Sequence, residues 1–214
     1  MNRSDDVTGR LLDLYQRVRE ASARTTTAIG AGGDGPLYAA CAELLNELLA
    51  HAPAKDDVQC GKGCNFCCHQ QILVSRVEAR VIAASLYHRL SVSALAPLRE
   101  LLERRARQSA NFANANHHWR ARLPCAFLND DGDCVVHAVR PLVCRGYQSL
   151  SRAACQEKYV DDAAALPPID RYGHIVGNAV LRGLRDSIAA AQQDDALHEL
   201  HAAVFIELAT LCGG

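Results

Sequence analysis

Lysine is scarce in this chain: of 23 basic residues only Lys55, Lys62 and Lys158 are lysine, and alanine is abundant, a mix that reads as coding bias and not as function. Neither sign of charge is in excess. With a formal charge of -1 and a pI near 6.7, nothing global attracts a polyanion or an anionic membrane surface, so nucleic acid is not an expected partner. No stretch approaches the roughly 20 apolar residues needed to span a bilayer. The segment Met1-Asn2-Arg3-Ser4-Asp5-Asp6 has no apolar run behind its early arginine, which argues against a secretory signal. A soluble, cytoplasmic protein is the expectation, with no membrane partner. Also missing are a Gly-rich nucleotide loop, a nucleophile elbow and an HExxH motif, so no catalytic residue is nominated.

What the chain does have is cysteine, ten of them in 214 residues. In a reducing compartment such a number points to metal or redox chemistry before disulfides. The length and the 49% hydrophobic content suit one domain, 1–214. Its expected parts are a cysteine-cluster core at about 58–160, N-terminal helices over 5–52 and C-terminal helices over 168–212. The predicted class is mainly α: a helical domain with a small cysteine-rich metal-binding region containing a short β-hairpin.

Helical spacing of Leu11, Leu14, Tyr15 and Val18 predicts a first helix over about 5–29, with Asp5 and Asp6 near its positive end. The linker Gly30-Ala31-Gly32-Gly33-Asp34-Gly35 breaks it, and Pro36 is placed to open a second helix whose apolar stripe includes Cys41. Ile72-Leu73-Val74 suits a brief strand. Ser75 and Glu78 fit a capping box for a helix over about 76–90, apolar at Val77, Val81 and Ala84 and at Ile82, Leu86 and Leu90. Ser91 or Ser93 caps the next, whose outer face carries Arg99, Arg104, Arg105 and Arg107. Two further helical patterns end the chain, the last starting at Asp194 or Asp195. Cys212 extends its apolar stripe and is read as structural. Adjacent His117 and His118 diverge by about 100° on a helix and are read as incidental. His198 and His201 are read as core or surface residues.

Eight cysteines remain, in two series. The first, Cys60-x3-Cys64-x2-Cys67-Cys68, is laid over two glycines that permit a tight loop. The second is Cys125, Cys134, Cys144 and Cys155. Asn129-Asp130-Asp131-Gly132-Asp133 is a hairpin signal that brings Cys125 and Cys134 onto facing strands, and it lacks the distal glutamate of a calcium loop. Each series alone has enough thiols for a tetrahedral site. Side chains of the vicinal pair Cys67-Cys68 diverge, however, so a site sharing ligands from both series is preferred, closed by a hairpin of the two intervening helices. Thiolate sites carry net negative charge and call for nearby cations or amide donors. Arg140 and Arg145, with Lys62, are placed to supply the cations, and His69 and His137 are reserve ligands.

The ordered motifs Cys60-x3-Cys64-x2-Cys67-Cys68, Val74-Ser75-x2-Glu78-Ala79, Cys125-x-Phe127-Leu128, Gly132-x-Cys134 and Arg140-Pro141-Leu142-x-Cys144-Arg145 together resemble the YkgJ-like cysteine-cluster family, written CxxCxxCC. The first spacing here is three residues, where the family name implies two, and Gly146-Tyr147-Gln148 follows Arg145. The resemblance implies chelation of zinc or iron, with the metal ion as partner, and the thiol ligands suit zinc or an iron-sulfur cluster. The resemblance also implies an alternative, an iron-sulfur-dependent oxidoreductase or protein-modifying enzyme; the vicinal pair Cys67-Cys68 by itself admits a further alternative, a thiol redox sensor.

Overall fold

Ser75 shows how closely local sequence dictates this fold. Its hydroxyl accepts from the Glu78 amide at 3.3 Å, while Glu78 Oε2 accepts from the Ser75 amide and hydroxyl, each at 2.8 Å. This is the expected capping box, and it opens helix α3, Arg76–Arg89. The computed structural model describes residues 3–29 and 33–213. Residues 30–32 of the glycine linker, and the side chains of Asp5, Asp6 and Leu11, lie outside the described residues.

The chain divides into two compact units, each assembled from separate segments. The first comprises Met1–Cys60, Pro141–Ser151 and Pro167–Asp195. It contains α1 (Arg3–Ile29), α2 (Asp34–Ala50), α6 (Leu142–Gly146) and α8 (Arg171–Ala190). Helix α2 begins two residues before Pro36. Helix α8 packs against α1, α2 and α6, and its buried face runs through Val176, Val180, Leu184 and Ile188. Glycine sets two of these contacts. A Cβ on Gly183 would stand 2.3 Å from the Arg19 carbonyl oxygen of α1, and one on Gly177 would stand 3.0 Å from Gly146 Cα of α6. Cys41 is buried in this unit at 1% exposure, as its place in the apolar stripe predicts.

The second unit comprises Gly61–Arg140, Arg152–Leu166 and Ala196–Gly214. It contains β1 (Leu73–Val74), α3, α4 (Val92–Ala110), α5 (Ala115–Arg120), α7 (Arg152–Val160), β2 (His198–Glu199) and α9 (Leu200–Gly213). Ser91 caps α4 by accepting from the Ala94 amide. On its outer face Arg104 and Arg107 pair with Glu100 and Glu103 one turn earlier, a solvated arrangement. The core joins Ile82 and Leu86 of α3, Leu95 and Leu102 of α4, and Leu200, Val204 and Leu208 of α9 to Phe127 and Val136.

Three expectations are corrected here. Helices α3 and α4 both pack on α9, which is therefore the element that gathers them, in place of a simple hairpin of the two. The last helix starts at Leu200 and not at Asp194 or Asp195, because His198 and Glu199 are held extended against Val74 and Leu73 in an antiparallel pair. Glu199 then takes the capping role, accepting from the Ala202 amide at 2.8 Å. Cys212, near the end of α9, is exposed and does not extend the core.

Candidate metal centre

The first cysteine series unwinds through a turn and a short 3-10 helix. The Cys64 amide donates to the Gly61 carbonyl at 3.0 Å, and Gly63 takes a φ of 73° with its amide held by Asp133 Oδ1 at 3.1 Å. Residues Phe66–His69 then form the 3-10 helix that carries Cys67 and Cys68. Helix α7, bearing Cys155, packs on it, with the Tyr159 ring against both Phe66 and His69.

The expected hairpin is real but minimal. Its ladder is one antiparallel bridge, Leu128 with Cys134, flanked by Val135 N–H to the Phe127 carbonyl at 2.8 Å and Asn129 N–H to the Asp133 carbonyl at 3.0 Å. Gly132 turns it at a φ of 78°, where a Cβ would meet Asn65 Nδ2 at 2.5 Å. Strand pairing stops there because Val136 enters the core and the chain passes into a 3-10 turn, His137–Val139, packed on α3.

These two stretches meet. The Cys125 amide donates to the Cys68 carbonyl at 2.8 Å. Cys67 is held far above the ordinary thiol range, first by its hydrogen bond with the Cys68 side chain and then by burial. Burial also raises Cys125, to about 11, and raises Cys134; in both, a thiolate at Cys67 would resist ionisation further. Acting the other way, the backbone N–H of Phe127 favours the Cys125 thiolate and that of Val136 the Cys134 thiolate. Arg105 favours the Cys125 thiolate, and Arg140 favours those of Cys67 and Cys134.

Of the predicted residues, Cys64, Cys67, Cys68, Cys125, Cys134 and Cys155 thus belong to the second unit, as does Arg140, which hydrogen-bonds His137 Nε2. Cys60 and Cys144 belong to the first, as does Arg145. There the Cys60 sulfur accepts from the Ser149 amide at 3.0 Å, and Arg145 donates to Asn46 Oδ1 at 3.0 Å and to the Tyr38 hydroxyl at 3.3 Å. Lys62 pairs with Asp133 at 3.4 Å. The ten cysteines, all among the described residues, form no disulfide. Among the described residues no three His, Cys, Asp or Glu side chains stand grouped to hold an ion as they are.

The donor set nevertheless suits a soft or borderline cation. Thiols that interact in pairs, backbone N–H groups already aimed at two of the sulfurs and flanking guanidinium groups are what a thiolate centre requires. A cleft of about 350 Å³ reaches Cys125 from solvent, bordered by Asn65, His69, Arg105 and the turn at Asn129–Gly132. Arg105 was read from sequence only as part of a solvated face. Its Nε is buried with no hydrogen-bond partner among the described residues, and burial, then Arg104, lowers its pKa. His118 was likewise read as incidental, yet it is buried at 1% exposure. The missed signal is the same in both cases: helical phase places a polar side chain inward toward a cysteine segment.

Among the described residues no helix is long and apolar enough to cross a membrane. The chain has no significant match among curated proteins and none among solved structures. The model of the CxxCxxCC family, described as a "putative zinc- or iron-chelating domain", matches residues 59–164, the stretch that holds both cysteine series. Residues 59–164 are therefore a domain of the CxxCxxCC family.

Proposed function

We propose that the protein holds zinc or an iron-sulfur centre at a site shared by its two cysteine series, with Cys67, Cys68, Cys125 and Cys134 as the central thiols. One observation carries this reading: the Cys125 amide donates to the Cys68 carbonyl at 2.8 Å, which joins the two series within the second unit. The backbone N–H groups of Phe127 and Val136 favour the charged forms of Cys125 and Cys134. Amide donors of this kind stabilise a sulfur that has lost its proton. When bound, the cation supplies the charge that draws those protons off. Arg105 and Arg140 offset the negative charge left by several thiolates, and the cleft beside Cys125 gives the ion a way in. Cys64 and Cys155 are further ligand candidates in the same unit.

A thiol sensor is less well supported. Reactive sensor cysteines have lowered pKa values, whereas Cys67 and Cys125 are raised.

Anaerobic purification with elemental analysis and a visible spectrum tests the proposal. Stoichiometric zinc in a colourless protein, or iron and sulfide with a charge-transfer absorption, supports it and selects the metal. Cys67→Ser and Cys134→Ser should each lower the metal content. A metal-free protein that takes up neither zinc nor iron but oxidises reversibly at Cys67-Cys68 would favour the sensor instead.

A further inference from the structure

Beside the cysteine segments runs a chain of polar side chains, buried at Ser109, His118 and His201 and half-buried at Glu199, that the thiol chemistry itself does not use. His118 of α5 donates from Nδ1 to the His69 carbonyl at 3.2 Å, and its Nε2 lies 3.1 Å from the Ser109 hydroxyl of α4. That hydroxyl lies 3.4 Å from Glu199 Oε1. The same carboxylate oxygen accepts from His201 Nδ1 at 2.8 Å, and His201 Nε2 accepts the Ala126 amide at 3.1 Å. Four side chains from three helices and a strand thus connect one backbone carbonyl to one backbone amide.

The two ends are informative. His69 follows Cys68 directly, and Ala126 follows Cys125 directly. The direct Cys125–Cys68 backbone bond lies between them. Bond directions also fix the ring states. An amide N–H can only donate, so His201 Nε2 is bare and its proton sits on Nδ1, toward Glu199; a carbonyl can only accept, so His118 carries a proton on Nδ1. A purely packing role would be met more simply by apolar side chains, since polar groups in such a core must all be satisfied to avoid a penalty.

We infer that Ser109, His118, Glu199 and His201 are positioning residues that hold the His69 carbonyl and the Ala126 amide in register, so that the neighbouring thiols of Cys68 and Cys125 are set before an ion arrives. The inference rests on the shared-site reading above. Outer hydrogen bonds of this kind commonly govern metal affinity by about 10–100-fold.

The test compares Ser109→Ala, Glu199→Gln and His201→Ala with Leu208→Ala, a core truncation that touches no polar group of the chain. Metal-free melting temperature, Zn²⁺ affinity by competition with a chromophoric chelator, and the thiolate-to-Co²⁺ absorption of the cobalt-loaded protein are measured on each. The three polar variants should lose about 10–100-fold in Zn²⁺ affinity and shift the Co²⁺ bands. Leu208→Ala should bind as wild type at equal or greater loss of melting temperature. Affinities and spectra that follow melting temperature alike in all four variants would overturn the inference. Cys67→Ser separates the two levels: if it keeps full affinity, the shared site is itself wrong, whereas if it loses the ion while the polar variants keep it, only the positioning role fails. Should His201→Ala not fold, Ser109→Ala, which removes a single hydroxyl, decides the matter.

Discussion

The amide of Cys125 donates to the carbonyl of Cys68 at 2.8 Å, so the two cysteine series are joined through backbone as well as through any shared ion. The thiols of Cys125 and Cys134 each sense the charge of Cys67. Under the proposal above they must lose their protons to bind an ion, since a metal ligand must be thiolate.

Affinity should therefore depend steeply on pH. Burial holds Cys125 at about 11, and Cys134 and Cys67 are also raised, so all three are protonated at neutral pH without metal. Each ligating thiol releases its proton on binding. Zn²⁺ affinity should rise as pH increases from 6 toward 9, with proton release seen by calorimetry in buffers of different ionisation enthalpy. An affinity independent of pH across that range would exclude these thiols as ligands.

The same shift makes the metal-free protein alkali-sensitive. With a folded value near 11 against an ordinary 9.0, Cys125 contributes stability that is fully present below about pH 9 and is lost as pH rises through 11. Urea melts of the metal-free protein should show this decline, and Cys125→Ser should flatten it. Equal decline in both proteins would assign the loss to other groups.

Gly132→Ala should destabilise the second unit by about 1–3 kcal/mol, the usual cost of a strained backbone site. The φ of 78° disfavours any side chain, and the new Cβ would press on Asn65 Nδ2. Asn65 adjoins the 3-10 helix bearing Cys67 and Cys68, so metal affinity should fall as well. Chemical denaturation with a parallel chelator competition checks both.

Ser75→Ala should cost about 0.5–2 kcal/mol, as loss of an N-cap generally does. Here the upper end is expected, because Glu78 is fully buried and its Oε2 loses the Ser75 hydroxyl as a donor, while the backbone amide of residue 75 remains. A shift in urea midpoint at constant m-value measures it.

Much of the helical plan was legible in the sequence because it depends on local signals. The Ser75–Glu78 box, the Ser91 cap and the inward stripe of α3 need only neighbours within a few residues. The cysteine turn and the Asp131-Gly132 reversal were legible for the same reason. What escaped reading depends on distant partners. The start of α9 is fixed by pairing with Leu73 and Val74, far away in sequence, and no local signal forbids a start at Asp194. His118 and His201 escaped because a histidine's value lies in the atoms it meets, here the His69 carbonyl and the Ala126 amide. Arg105 escaped because, although it lies one turn past the buried Leu102, the turn at Asn129–Gly132 that helps form the cleft it borders is distant in sequence.

Helix α9 lies beyond the matched residues 59–164 yet inside the second unit, where it covers Ile82, Leu86, Leu95 and Leu102. The recognisable segment and the self-sufficient one therefore do not coincide. A fragment trimmed to the family boundaries would bare a broad oily face and lose Glu199 and His201 together, and such faces drive aggregation. Grafting this cysteine-rich segment onto another protein would require α9 and the strand before it to travel with it, in the same chain or as a separate peptide.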